Sequence, residues 1–234
     1  MFHFEEGEVF LVDKPLDWTS FDVVNLVRSV IKRFHGIRKL KVGHAGTLDP
    51  LATGLLIICT GRMTKQIDNF QAQEKVYTGT MLLGQTTPTF DMESEADAFY
   101  STDDITIDMM EDARKSFIGD IMQRPPKFSA IKINGKRAFD YARSDEEVAL
   151  KERLVHIDDF KLDYTNFPKI EFEVKCSKGT YIRSLVNDFG KKLGNGACLI
   201  SLRRTKIGNF SVNDARKLED LKKEIIETGV DNVQ

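Results

Sequence analysis

A chain of 234 residues, 41% hydrophobic and 30% charged, has the make-up of one large or two small soluble globular domains with a sizeable core. No apolar run approaches the ~18 residues of a membrane span, and the acidic start MFHFEEGE is no signal peptide, so a cytoplasmic protein with no membrane association is expected. The net charge of −2 conceals an asymmetry: residues 91–113 hold nine acids and no Lys or Arg, which leaves +7 on the rest, enough for a basic side that binds RNA.

In chain order, EVFLVD at residues 8–13 reads as a strand that ends at Lys14-Pro15. Thr19 and Asp22 form a capping-box pair, with Asp in place of Glu, before a helix bearing Val23, Val27, Val30 and Phe34 on one face. Residues 41–61, KVGHAGTLDPLATGLLIICTG, organise the chain. The apolar run 55–59, bounded by glycines, has the length of a buried strand. Before it lies a loop dense in glycine whose one carboxylate is Asp49. Pro50 biases Asp49 away from the helical region. By itself such a loop is more often a structural turn than a catalytic one.

Residues 61–70 look helical, with Arg62 and Lys65 exposed, and we place Lys65 among the substrate-binding residues. EKVYTGTMLLG then alternates as a strand with apolar residues on both faces, where Tyr77 alone would read as a core aromatic. Within the acidic segment, Asp108 and Glu111 read as a second capping box for a helix through Phe117 that Gly119 ends. Asn134-Gly135 suits a two-residue hairpin turn. Around it, residues 122–143 carry six basic side chains, Lys132, Lys136 and Arg137 among them, against one acid, with Phe128, Phe139 and Tyr141 interleaved. A basic, aromatic hairpin is a reasonable RNA contact, or else a solvated hairpin with its aromatics turned inward.

Ile170, Phe172, Val174 and Cys176 alternate with charged residues as a half-buried strand. Thr180 is expected to cap the next helix, and Gly194 to end it. Arg183 falls in the first turn, where the helix dipole disfavours a cation, so a buried carboxylate partner is expected. Residues from 211 onward read as one charged amphipathic helix and a short end. Cys59, Cys176 and Cys198 are odd in number and far apart; buried reduced thiols are expected.

DKPLDWTSFD, GHAGTLDPLATGLL, CSKGTYIR and GACLISLRRT, in this order along the chain, resemble the signatures of the TruB family of pseudouridine synthases. The likeness runs from about residue 9 to residue 210. It implies an α+β (mixed α/β) pseudouridine synthase fold with a central, mostly antiparallel sheet flanked by helices and a catalytic cleft. It implies one catalytic domain over residues 1–234 and a thumb-like basic hairpin insertion at about 122–150; many family members carry a C-terminal PUA domain, and none is expected here because the chain ends before one could fit. By the resemblance Asp49 is the catalytic residue and Arg183 its partner. Tyr77 stacks on the target base, Tyr181 lies in the site and Leu202 lies beneath the base. His44 fills the space that the flipped base leaves, and Lys14 anchors the catalytic loop. The family has Gly where Asp17 stands; Asp tolerates positive φ better than most residues.

The implied reaction is isomerisation of uridine 55 in the T loop of tRNA. No metal or cofactor, no obligatory protein partner and a monomer are expected. A guide-RNA-dependent synthase of the dyskerin type and a non-catalytic tRNA-folding factor are the alternatives.

Overall fold

The computed structural model describes residues 1–129, 131–133, 136–138, 141 and 150–230. Its strands are β1 (Val9–Lys14), β2 (Val42–His44), β3 (Ala52–Thr60), β4 (Lys75–Leu83), β5 (Gln85–Thr86), β6 (Ala98–Phe99), β7 (Gly119–Gln123), β8 (Lys132–Ile133), β9 (Lys136–Arg137), β10 (Arg153–Asp163), β11 (Lys169–Cys176), β12 (Ala197–Ile207), β13 (Phe210–Ser211) and β14 (Arg216–Lys217). Its helices are α1 (Ser20–His35), α2 (Ile67–Ala72), α3 (Ile107–Lys115), α4 (Ile182–Lys192) and α5 (Leu218–Val230). The main sheet has ten strands in the order β14-β1-β3-β12-β4-β11-β10-β7, with β13 on β12 and β2 on β3. Antiparallel pairs dominate; β1 with β14 and β3 with β12 are parallel. The fold is the mixed α/β architecture expected from the sequence.

The chain forms two compact units, Met1–Tyr77 with Leu202–Gln234, and Thr78–Ser201. In the first, β3 is buried along nearly its whole length and feeds two cores. Leu56 and Ile58 join Val12, Val23, Val27 and Ile31 of β1 and α1, and Leu221 and Ile225 of α5. Leu55, Ile57 and Cys59 join Ala45 and Ile207 on the other face. A strand covered on both faces reads as a continuous apolar run, which is why residues 55–59 stood out. Each such side chain contributes about 1.5–3 kcal/mol on burial. The Thr19–Asp22 capping box of α1 is complete, and its C-terminus closes on Gly36 at φ +69°.

In the second unit, Ile170, Phe172, Val174 and Cys176 bury one face of β11. Phe160 of β10 meets Phe172 and Phe189 of α4 edge-on, with centroids 6.2 and 6.0 Å apart. All three cysteines are buried, and none is in a disulfide.

Four local expectations are corrected. Residues 61–70 begin as a 3₁₀ segment, Gly61–Gln66, before α2. The N-cap of α3 is Thr106, which accepts from Met109 N–H; Glu111 is taken by Arg114, and the helix stops at Lys115. Thr180 does not cap α4: its hydroxyl donates to Ser177 O, and Tyr181 is the N-cap. The carboxyl-terminal stretch also holds β13, a 3₁₀ turn and β14 before α5, because residues 216 and 217 pair with β1.

Candidate active site

Asp49 lies on the loop between β2 and β3. The chain leaves the sheet after Ala45 N–H bonds Ile57 O, and a bond from Ala52 N–H to Asp49 O, 3.0 Å, closes a turn over Pro50 on its return. Gly46 and Gly54 hold φ of +98° and +104° at the two ends. A Cβ at Gly54 would stand 2.3 Å from Arg204 O, so β3 and β12 approach there only because the residue is glycine.

The segment after β1 grips this loop on both sides of Asp49. Ser20 Oγ accepts from Leu48 N–H at 2.8 Å and donates to Leu48 O at 3.2 Å. Asp17 N–H donates to Pro50 O at 3.0 Å from a left-handed turn at φ +63°, so Asp serves there in place of glycine. Lys14, fully buried, donates from Nζ to Pro15 O, Trp18 O and Pro50 O at 2.8, 2.5 and 3.3 Å. Burial pushes its pKa down to about 8, against the pull of the Asp49 carboxylate.

From the other side β12 closes the unit. Leu202 pairs in register with Ala52, and Thr53 Oγ1 lies 3.5 Å from Leu202 O. Arg203 holds Asp13 in a two-pronged bond of 2.9 and 2.7 Å. A cleft of about 460 Å³ opens beside this pair, with Lys14 and Trp18 in its wall. His44 ends β2 opposite Ile58. Burial, then the Arg204 cation, lower its pKa against a Gly46 backbone bond, so the ring is neutral at pH 7. Tyr77 is buried on β4, while Lys65 is exposed on the 3₁₀ turn that follows β3. Lys14, His44, Asp49 and Leu202 thus gather about one loop; Lys65 does not.

In the second unit Arg183 is 4% exposed. Its Nη1 donates to Thr89 O at 3.2 Å and lies 3.5 Å from Asp91 Oδ2, and its Nη2 donates to Phe128 O at 2.9 Å. Asp91 is also buried, so it is no part of a solvated acidic surface. Tyr181 is pinned by Gln123, whose Oε1 accepts from its N–H at 2.8 Å and whose Nε2 donates to its carbonyl at 3.1 Å. The Arg153 guanidinium lies 4.6 Å from the Tyr181 ring centroid.

β8 and β9 pair as a short hairpin, Lys132 opposite Arg137 and Ile133 opposite Lys136. Asn134, Gly135, Phe139, Asp140 and Arg143 lie outside the described residues. Among the described residues no group of three or more His, Cys, Asp or Glu could hold a metal ion.

Sequence reasoning missed Ser20, Asp91, Gln123 and Arg204. Ser20 and Arg204 stand inside the quoted motifs, next to residues that were assigned. Asp91 was hidden among eight other acids, and Gln123 carried no signal.

Sheet, helices and carboxylate-bearing loop together make a pseudouridine synthase fold. Residues 32–182 match the model of the TruB family pseudouridylate synthase N-terminal domain, and residues 183–233 that of the tRNA pseudouridylate synthase B C-terminal domain. The tRNA pseudouridine synthase B of Parabacteroides distasonis is 52% identical over 218 residues, 93% of each chain. That of Phocaeicola vulgatus is 53% identical over 217 residues, 93% of this chain and 92% of the other. A chain from the crystal structure of a Cbf5-Nop10-Gar1 complex is similar at 27% identity and a TM-score of 0.72; it matches 99% of this chain, which spans 58% of its length. The chain belongs to the TruB family of pseudouridylate synthases.

Proposed function

We propose that the protein isomerises uridine to pseudouridine at position 55, in the T loop of tRNA, with Asp49 as the catalytic carboxylate. The observation that carries the reading is the loop itself. Its one carboxylate stands between Leu48 and Pro50, both held by main-chain and buried side-chain bonds from the segment after β1. Such pre-organisation is what chemistry on a detached base requires. Relatives named tRNA pseudouridine synthase B at 52 and 53% identity support the substrate.

The reaction breaks the bond from uracil N1 to ribose C1′ and makes one from C5 to C1′; C5 gives up its proton and N1 gains one. The target is flipped from its loop at a cost of a few kcal/mol. Asp49 then adds to the base or to C1′, or stabilises positive charge on the sugar. In this reading Tyr77 and Leu202 hold the loose base, and Tyr181 and Arg183 complete the site. The neutral His44 ring takes the place of the flipped base, and Lys14 fixes the loop. Residues 1–234 act as one catalytic domain, a cytoplasmic monomer that needs no protein partner. Lys65, Lys132, Lys136 and Arg137 meet phosphate.

The test is to incubate purified protein with unmodified tRNA transcript and excess EDTA, and to map pseudouridine by carbodiimide primer extension. Modification at position 55 without a guide RNA or a second protein is expected. Activity only with a guide RNA would favour the dyskerin-type reading, and binding without modification the folding-factor reading.

A further inference from the structure

Among the described residues Arg204 is the largest fully buried side chain, 1% exposed, on β12 two positions after Leu202. Among the described residues no carboxylate lies within ion-pair distance of it. Its bonds go to neutral acceptors: Nε donates to Leu55 O at 2.8 Å and Nη2 to Gly46 O at 3.1 Å. Burying a guanidinium on carbonyl oxygens alone is costly, and a core of ordinary packing would place an apolar residue there. The two carbonyls are not arbitrary. Gly46 is where the chain leaves the sheet, and Leu55 follows Gly54, where it has returned; Asp49 lies between them.

We propose that Arg204 is a positioning residue for the isomerisation: its rigid fork spans the two ends of the Asp49 loop and sets the distance between them. The inference rests on the reading of Asp49 as the catalytic carboxylate. Ser20, Asp17 and Lys14 hold the loop from the α1 side, and Arg204 holds it from β12. Four further features fit a strut. The partners are main-chain atoms, so the bonds fix backbone rather than a side chain. The fork is planar and holds its N–H groups at a fixed spacing, which a lysine ammonium, a compact charge on a flexible stem, does not reproduce. A Cβ at Gly46 would come within 3.4 Å of Arg204 Nη1, so the loop rests directly on the guanidinium. Finally, its charge is felt at Lys14 and His44, whose pKa values it lowers on either side of the loop.

The experiment compares Arg204→Met, Arg204→Lys and Asp49→Asn with the unaltered protein. Single-turnover pseudouridine formation, tRNA affinity and thermal melting are read for each. Because Arg204 is buried and touches no phosphate, tRNA affinity is expected to stay within about threefold in both arginine variants. The single-turnover rate is expected to fall about 100-fold in Arg204→Met and about tenfold in Arg204→Lys, as a loop displaced by about 1 Å predicts. A residue with only a structural role would lower the melting temperature and leave that split between rate and affinity unmoved. An unaltered rate in a folded Arg204→Met protein, beside an inactive Asp49→Asn, overturns the inference alone. Substantial turnover by Asp49→Asn overturns the reading beneath it, and the inference with it. Loss of folding in both arginine variants also overturns it, since Arg204 then serves the core.

Discussion

Each of the two units buries an arginine, and they are buried differently. Arg204 bonds neutral carbonyls and sits beneath a loop of glycines. Arg183 also bonds two carbonyls, but it faces a buried carboxylate, Asp91, at 3.5 Å. The first arrangement fixes a span of backbone. The second balances charge: with Asp91 opposite, the guanidinium sits in the first turn of α4 despite the helix dipole. The difference separates a fork held by carbonyls alone from one that bonds carbonyls and also faces a carboxylate.

The largest effect expected from breaking this contrast is at Arg183. Arg183→Lys keeps the charge but loses the fork, and pseudouridine formation should fall about 100-fold, read as single-turnover rate. Activity near that of the unaltered protein would show that the fork is dispensable. In the same region Asp91→Asn leaves both carbonyl bonds in place and removes one negative charge that faces the guanidinium. It should cost about 2 kcal/mol of stability by denaturant unfolding, with a smaller loss of rate. A neutral outcome would show that the pair is not what keeps Arg183 in the interior.

A smaller effect tests the grip on the Asp49 loop. The folded-state pKa of Lys14 is lowered from 10.5 to about 8. Between those values the unfolded chain binds more protons than the folded one, so this group adds stability as pH rises from about 8 to 10.5; below about 8 its contribution is level. Other groups titrate there too, so the measurement is the difference in unfolding free energy between the unaltered protein and Lys14→Met. That difference should shift in favour of the unaltered protein as pH rises through the window. A difference flat in pH would mean that the Lys14 ammonium is not disfavoured in the folded protein.

The smallest effect lies outside both arginines, in the hairpin. Changing Lys132, Lys136 and Arg137 together to Ala should reduce the slope of log tRNA affinity against log salt by about 2. The matched triple at Lys217, Lys222 and Lys223 should barely alter it. Equal slopes for the hairpin triple and the unaltered protein would make the hairpin solvated surface.

What the sequence disclosed and what it hid follow from range. The buried strand at 55–59, the α1 cap and the alternation of β11 are local patterns, and the structure keeps them. The start of α4 shifted where a distant side chain intervened: Gln123 satisfies Tyr181 N–H from 58 residues away, and no local rule anticipates that, whereas α3 starts at a local cap, Thr106. Within the candidate site, Gly and Pro marked the loop of Asp49, and the role proposed for Asp49 came from the family resemblance. The supports of the loop were not marked. Ser20 reaches Leu48 across 28 residues and Arg204 reaches Gly46 across 158, and neither spacing has a period to detect. Asp91 was not singled out because charge was counted along the chain, whereas burial selects one acid from the run.

The central claim is that one carboxylate, fixed on the loop before β3, carries out the isomerisation. Its most direct test is Asp49→Asn against unaltered protein on unmodified tRNA transcript, with carbodiimide mapping and affinity measured side by side. Removing a negative charge does not weaken attraction to phosphate, so affinity within about threefold and no detectable pseudouridine are predicted. Substantial turnover by the variant would contradict the account.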